Sequence, residues 1–256
     1  MGKLFCLFAL LFCSTTSGVY AQKKKQAYKT AKIGVVKIIF NNLVNGRPLV
    51  LHDSVYTNSR GENYTVSKLK YYISNIGIYS NGKLINQKNS YHLIDESNTG
   101  SLAFSFAVPE NNYDSIRFLL GVDSSRNVSG AQTGALDPLN DMFWTWNTGY
   151  VMFKLEGASP QSNIVNNKME YHIGGFQGGY SVLKFITLAF PAGEILKIKK
   201  GKTSIIQINT DINQFWQGNI SLKISDTPAC SSPGLLAKQI AGNFAGMFTA
   251  TIINNY

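Results

Sequence analysis

Short runs of β-branched and aromatic residues, separated by turn signals, constrain the fold of this chain most strongly. Residues 32–40 (KIGVVKIIF) and 70–79 (KYYISNIGIY) are two such runs, and the second leads into Asn81-Gly82, a dipeptide that favours a hairpin turn. Many short strands joined by turns are typical of a β-sandwich.

Helix signals are few in comparison. Residues 235–244 (LLAKQIAGNF) are the best candidate, and residues 210–216 favour one helical turn with Thr210 or Asp211 as its N-cap. The pattern therefore predicts an all-β fold, an antiparallel β-sandwich with long loops and one or two short helices.

The first residues of the chain have the pattern of an export signal. Lys3 precedes an apolar run of about 10 residues, which is shorter than the roughly 20 that a membrane span needs. Val19-Tyr20-Ala21 ends in a small residue and predicts cleavage before Gln22. We therefore expect an exported protein, periplasmic or extracellular at the cell surface, that does not span the membrane. The predicted organisation is a signal peptide (1–21), a flexible basic tail (22–31) and a single β-sandwich domain (32–256).

Cysteine usage and charge narrow the classes of site and partner. Cleavage would remove Cys6 and Cys13, so Cys230 would be the only cysteine left and no intramolecular disulfide is expected. The formal net charge is +10, and Lys-rich segments can indicate nucleic-acid binding. Because the export signal argues against such a partner, we expect no nucleic acid and interpret the lysines as a source of solubility and as protection of exposed strands.

The three histidines, His52, His92 and His172, are the candidate ligands for a transition metal. The chain has no HExxH, CxxC or HxH motif, so spacing alone favours three ordinary histidines, each hydrogen-bonded or exposed. His172 is the strongest candidate because it precedes Gly174-Gly175, where the backbone can approach a neighbour closely or turn sharply.

The loop over residues 123–141 offers hard oxygen ligands in Asp123, Asp137 and Asp141. Their spacing matches no EF-hand, and Asp is an ordinary turn former, so turn formation is the favoured interpretation. If a hard cation such as calcium binds this chain, these carboxylates are its candidate ligands.

Trp144 and Trp146 directly follow this loop, and residues two apart on a strand share a face. Core packing is the common role of Trp in a sandwich, and the alternative is a redox or metal pocket lined by indoles beside His172. The chain has no GxSxG elbow, no P-loop and only 14 acidic residues, so we expect no catalytic activity of its own.

Long motifs in this chain resemble the MbnP-like family, exported copper-associated proteins related to the methanobactin-linked periplasmic protein and to copper-repressible surface proteins of methanotrophs. The most specific motif is GALDPLNDMFWTWNTGYVMFKLEG (134–157), and YHLID (91–95) and HIGGF (172–176) accompany it. The resemblance runs through most of the mature chain and implies a secreted β-rich protein.

The resemblance also implies a copper ion bound through His ligands and a Trp that is oxidised to kynurenine and helps to hold the metal. In the methanobactin-linked case, a diheme peroxidase-like c-type cytochrome performs that oxidation. Carried over to this sequence, His172 in HIGGF matches a family motif, Trp144 and Trp146 are candidates for modification, and His92 and His52 are weaker ligand candidates.

One departure from the resemblance leaves an alternative open. Residues 227–243 (TPACSSPGLLAKQIAGN) contain no His, so if a relative uses a ligand there, this chain has lost it or substitutes Cys230. The alternative is a non-catalytic structural or surface interaction domain, of which a calcium-stabilised domain is one version, in which the Trp pair belongs to the core.

Overall fold

Two β-sheets pack face to face in the computed structural model of this protein, which describes residues 32–130, 132–147 and 149–254. All of these residues fall in one compact unit. The predicted signal peptide (1–21) and the predicted basic tail (22–31) lie outside the described residues. Among the residues that are described, no helix is long and apolar enough to cross a membrane.

The described residues form short strands, two α-helices and several 3-10 turns. The strands are β1 (Ile33–Val44), β2 (Arg47–Pro48), β3 (Tyr56–Thr57), β4 (Asn63–Ser80), β5 (Lys83–Asn86), β6 (Tyr91–Asp95), β7 (Ala103–Pro109), β8 (Asn111–Tyr113), β9 (Ser115–Leu120), β10 (Phe143–Trp144), β11 (Gly149–Ala158), β12 (Lys168–Gly174), β13 (Lys184–Ala189), β14 (Leu196–Ile198), β15 (Thr203–Asp211), β16 (Ala229–Cys230) and β17 (Phe248–Ile253). The helices are α1 (Ser124–Asn127) and α2 (Leu235–Ala241), and the 3-10 turns are Thr99–Leu102, Gly134–Leu136, Pro138–Asn140, Val165–Asn167, Gly178–Tyr180, Ile212–Trp216 and Gly242–Met247. The all-β prediction is confirmed.

The predicted short helices are also present, with adjusted ends. α2 begins at Leu235 and ends at Ala241, and the chain then continues as the 3-10 segment Gly242–Met247. At the other predicted turn, the Asp211 carboxylate caps the 3-10 segment by accepting a hydrogen bond from the Asn213 amide.

The first sheet departs from the predicted antiparallel arrangement. Its strand order is β17-β15-β1-β2, with β7 also paired to β1, and β1 and β15 run parallel. β12 and β16 of the second sheet are parallel too. Parallel neighbours need a long connection, and the chain between β1 and β15 is long enough because it forms most strands of the second sheet.

β4 is the strand around which the second sheet is built. Its 18 residues pair with β11 in the first half and with β9 in the second, while β6 and β5 pair with some of the same residues. Two strands that pair with one residue must lie on opposite edges, so β6 and β5 flank β4 on the edge away from β11 and β9. β12 and β13 extend the sheet beyond β11 and β9.

A register irregularity in β4 changes which residues face outward. Leu69 and Tyr71 face the core before it and Ile76 and Ile78 after it, and Asn75 at the irregularity has φ of 50°. Asn tolerates this left-handed conformation better than most residues. A step of one residue reverses the face that each side chain occupies, so the outward positions of β4 are even-numbered between Lys68 and the step and odd-numbered after it.

Aromatic side chains from both sheets fill the space between them. Phe40 of β1 lies with its ring centroid 6.1 Å from Tyr71 of β4 and 6.4 Å from Phe118 of β9. Phe248 of β17 contacts the same two rings edge to face. Such pairs contribute about 0.5–1.5 kcal/mol each beyond the burial of their area. This core holds the second sheet in place and leaves its outward face for charged side chains.

Candidate metal site

Charged side chains form a block on the outward face of the second sheet, on three neighbouring strands. Register across the sheet aligns His172 of β12 with Lys154 of β11 and Lys70 of β4, and strand alternation gives the positions two residues away the same face. The block comprises Glu170 and His172, Lys154 and Glu156, and Lys68 and Lys70.

Three of these side chains form a group that could hold a metal ion. The Nε2 atom of His172 lies 2.7 Å from Oε1 of Glu156, and Glu170 joins them so that one ligand atom from each lies within 4.8 Å of the others. Among the described residues this is the one such group of His, Cys, Asp or Glu. The hydrogen bond with His172, with help from nearby lysines, lowers the pKa of Glu156 to about 2. Glu156 is therefore ionised at neutral pH and available to a cation.

Lysines compensate the two carboxylates of this group. Lys68 Nζ lies 3.5 Å from Oε2 of Glu156 and Lys154 Nζ lies 3.9 Å from its Oε1, while Lys168 forms an ion pair with Glu170. A metal ion bound here would replace the contact between His172 and Glu156 and would compete with these ammonium groups. The group is therefore both a possible metal site and a self-compensated ion-pair network.

The loop before the Trp pair is attached to this block through Lys154 and Asp141. Lys154 is 3% exposed, and its Nζ donates to the Asp141 carbonyl oxygen and lies 3.0 Å from Oδ2 of the same residue. Lys68 Nζ lies 2.8 Å from that Oδ2 atom. Asp141 has φ of 62°, a conformation that brings its carbonyl and carboxylate to the same ammonium group.

The three loop aspartates named as candidate calcium ligands have separate roles. Asp141 pairs with the lysines, and Asp137 caps the 3-10 turn that follows it by accepting from the Leu139 amide at 2.9 Å. Asp123 caps α1 and accepts hydrogen bonds from Tyr91 and from neighbouring residues. Each carboxylate has its own partners, and the three do not form one ligand group in the part of the chain that the structure describes.

The indole of Trp144 packs over β12 near His172. It lies on β10 opposite Gly149, and its indole is placed over Gly174, where an added Cβ would be 2.5 Å from Cζ3 of the ring. Gly174 is two residues from His172 on β12, so both present the same face, roughly 7 Å apart along the strand. Trp144 is 7% exposed, whereas Trp146 lies in a turn beyond β10 and is 64% exposed. The two ring centroids are 5.5 Å apart, so the indoles are in contact although the strand ends between them.

His92 lies on the opposite face of the sheet from His172. It pairs with Ile73 on the inward side, and its ring stacks on Phe104 with centroids 3.5 Å apart and planes at 5°. Burial lowers the pKa of His92 to about 4, and its Nε2 atom has no hydrogen-bond partner among the described residues. Because a sheet separates them, His92 and His172 are not ligands of one metal ion in this structure.

His52 and Cys230 are also apart from the group. His52 is exposed in a turn with φ of 72°, and its amide donates to the Val66 carbonyl oxygen at 2.7 Å. Cys230 of β16 aligns with Tyr171, the inward neighbour of His172, and burial raises the pKa of its thiol. The structure thus brings His172 next to Trp144 but does not bring the three histidines together, and Cys230 does not complete the group.

Glu156 and Glu170 are the members of the group that the sequence analysis missed. Glu170 and His172 are two apart in a strand-like segment, which predicts a shared face, but this spacing matches no known metal-binding motif and does not distinguish a ligand pair from an ordinary exposed strand. Glu156 carries no such local signal, because it reaches His172 only through the register of β11 with β12.

Comparisons with known proteins agree with the resemblance in the sequence. The chain matches the model of the MbnP family over residues 34–232, a range that includes the whole charged block. Among solved structures, MbnP from Methylosinus trichosporium matches with a TM-score of 0.53 and 12% sequence identity, covering 86% of this chain and 99% of that chain. At this identity the structural likeness shows a shared fold. No curated protein matches the sequence.

Proposed function

This chain belongs to the MbnP family, and from that premise we propose that it is an exported protein that binds one copper ion at His172, Glu156 and Glu170, beside Trp144. The observation that carries the proposal is that these three donor groups converge within 4.8 Å, and two of them, His172 and Glu170, lie on the strand that also carries Gly174 under the indole. Export rests on the signal pattern of residues 1–21.

The donor set suits a divalent rather than a monovalent copper ion. Imidazole nitrogen and carboxylate oxygen are borderline and hard ligands, whereas Cu(I) is selected by thiolate and thioether sulfur. Cys230 aligns with Tyr171 on the other side of β12, so it supplies no thiolate to the group. We therefore assign the site to Cu(II), with Zn(II) as the competing divalent ion.

The Glu156 carboxylate already carries the charge that a divalent ion attracts. The pKa of Glu156 is about 2, so no proton leaves this carboxylate when a cation binds near neutral pH. A metal ion binds the neutral form of an imidazole, so His172 would coordinate through a ring nitrogen that carries no proton. The energetic cost comes instead from displacing the ammonium groups of Lys68 and Lys168.

Trp144 is the side chain that we propose for oxidation to kynurenine: the peroxidase-like partner passes the indole's electrons to peroxide, the pyrrole ring opens with uptake of oxygen, and its C2 carbon leaves as formate. Indole offers only an N–H donor, whereas ring opening exposes an aniline nitrogen and a carbonyl oxygen that can face a metal. Trp144 packs over Gly174, two residues along β12 from His172, whereas Trp146 lies in the exposed turn beyond β10. In this proposal, electrons leave Trp144 through the exposed Trp146 ring that contacts it and reach a docked diheme c-type cytochrome, the partner that we propose.

The second candidate is a structural or surface interaction domain without a metal, and the ion pairs favour it. Lys68, Lys154 and Lys168 compensate Glu156 and Glu170 and so account for the carboxylates without any bound cation. Replacing His172 would then affect stability alone.

Copper titration of the folded protein separates the two candidates. We expect one equivalent of Cu(II) to bind and His172→Gln to weaken binding at least about 10-fold, since even groups behind the ligands commonly contribute that much. His52→Gln, at an exposed histidine away from the group, is the matched control and should leave the affinity unchanged. Equal affinities in both variants, with native melting curves, would refute the site and leave the structural domain.

A further inference from the structure

A second cleft lies on the same sheet, beyond the register irregularity of β4 and near β5 and β13. It has a volume of about 410 Å³, and Asn86, Gln87, Lys88, Asn89, Arg117 and Phe185 line it. None of these residues belongs to the charged block around His172, so the cleft is independent of the proposed copper site.

Gly77 of β4 lies between two residues that line the cleft, Arg117 and Asn86. Register across the strands aligns Arg117 of β9 with Gly77 of β4, and Gly77 with Asn86 of β5. A Cβ on residue 77 would lie 2.7 Å from both Asn86 Oδ1 and Leu84 Cδ1. Because Gly77 has no side chain, the Asn86 and Leu84 side chains of β5 can pack over β4 at this position. Arg117 of β9 lies on the opposite edge of β4.

The cleft carries positive charge without a lining carboxylate. Arg117 and Lys88 line it, and neither forms a salt bridge within the described residues. Asp123 bonds to Asn75 at the margin of the cleft, but it also accepts hydrogen bonds from Tyr91 and Ser125. An oxyanion that entered would meet two cations and no competing acid from the lining.

Phe185 positions the guanidinium of Arg117. The Cζ atom of Arg117 lies 3.9 Å from the centroid of the Phe185 ring, and Nη1 donates to the Tyr79 hydroxyl at 3.4 Å. A guanidinium has five N–H donors in a planar fork that matches carboxylate and phosphate oxygens, so most of these donors remain for a ligand. Phe185 is 55% exposed on an edge strand, so it also offers an apolar surface to whatever occupies the cleft.

Side-chain amides supply the remaining polar atoms. Asn86, Gln87 and Asn89 each combine an acceptor oxygen with two N–H donors, which suits ligand hydroxyl groups that both donate and accept. Gln87 Oε1 has no hydrogen-bond partner among the residues described, an arrangement that costs free energy until a donor arrives.

We propose that this cleft binds an anionic saccharide, a sugar ring that carries a carboxylate or a phosphate. Arg117 and Lys88 bind the oxyanion, the amides of Asn86 and Asn89 bind ring hydroxyls, and the apolar face of the ring packs against the exposed part of Phe185. Carboxylate and phosphate share the oxyanion that the guanidinium recognises, so the choice between them falls to experiment.

Calorimetric titration of the folded protein with three probes tests the proposal: trigalacturonic acid, glucose 6-phosphate and neutral galactotriose. We expect at least one anionic probe to bind at least about 10-fold more tightly than galactotriose, with weaker binding at high salt. Whichever of the two anions binds more tightly identifies the oxyanion.

Matched variants connect the binding to the cleft. Arg117→Gln should weaken the anionic probe at least about 10-fold, and Lys88→Gln, at an exposed residue, should weaken it less. Arg47→Gln, at an exposed arginine of β2, removes the same charge elsewhere and should change nothing. Galactotriose binding as tightly as the anions, no binding of either anion at millimolar concentration, or equal affinities in Lys88→Gln and Arg47→Gln would each overturn the proposal.

Discussion

Trp144 lies so close above Gly174 that the strand has no room for one further carbon atom at that position. A Cβ at residue 174 would be 2.5 Å from the indole and 2.9 Å from the Tyr150 carbonyl oxygen. Gly174 therefore has a packing role rather than a conformational one. Its lack of a side chain makes room for the Trp144 indole beside the His172 group.

Gly174→Ala should displace the indole and destabilise the protein. Overpacking of this kind costs about 1–3 kcal/mol, measured as the free energy of unfolding in urea, and Trp fluorescence should shift as Trp144 moves. Gly179→Ala is the matched control, because a Cβ there meets nothing within 4 Å. Equal stability of the two variants would contradict the contact.

His92 should make the fold sensitive to mild acid. Its pKa is about 4 in the folded protein and 6.5 without burial, so the unfolded chain binds more protons between these values. The stabilisation is complete above pH 6.5 and is lost as the pH falls through about 4. Because the ring is partly exposed, we discount the shift to about 1–2 kcal/mol.

Urea unfolding at a series of pH values measures this effect. His92→Phe keeps a ring against Phe104 but cannot take up a proton, so its stability should fall less between these pH values than that of the wild type. His52→Gln should keep the wild-type slope, since His52 is exposed. Parallel profiles for His92→Phe and the wild type would refute the assignment.

Lys168→Gln should strengthen copper binding if the metal uses Glu170. Lys168 is half-exposed and pairs with Glu170, so its removal frees a carboxylate at little cost in stability. Exposed ion pairs contribute about 0.2–1 kcal/mol, which corresponds to a gain of about 1.4- to 5-fold in Cu(II) affinity by titration. Lys223→Gln, at another exposed lysine, serves as the control. Unchanged affinity in Lys168→Gln would remove Glu170 from the proposed site.

Peptide mapping by mass spectrometry tests the proposed oxidation. In protein produced together with the diheme oxidase, we expect kynurenine at Trp144 and intact indoles at Trp146 and Trp216. Trp216 is the internal control because it is fully buried in the core. Intact Trp144 in the presence of an active oxidase would exclude this chain as its substrate.

The all-β fold could be predicted because its signals are local. Alternation in β1, where every second residue from Gly34 to Val44 is buried, is visible in the sequence. The parallel pairing of β1 with β15 could not be predicted, because it joins segments far apart in the chain and has no local signature.

The candidate site could be predicted in part for the same physical reason. The Trp pair beside His172 appeared in the sequence only as the alternative to core packing, because the strand order that brings Trp144 near His172 has no local signal. Glu156 joins His172 through strand register, which sequence periodicity does not define, and the placement of His92 on the inward face depends on how β6 pairs with β4.

The parallel pairing of β1 with β15 also determines when the protein can finish folding. The Asn41 side chain donates to Asn209, a partner 168 residues later in the chain, and contacts of such long range slow folding because the loop must close before they form. Until residues 203–211 are available, one edge of β1 has no strand beside it. Truncated or incompletely synthesised chains should therefore expose the unpaired backbone groups of an apolar strand and aggregate.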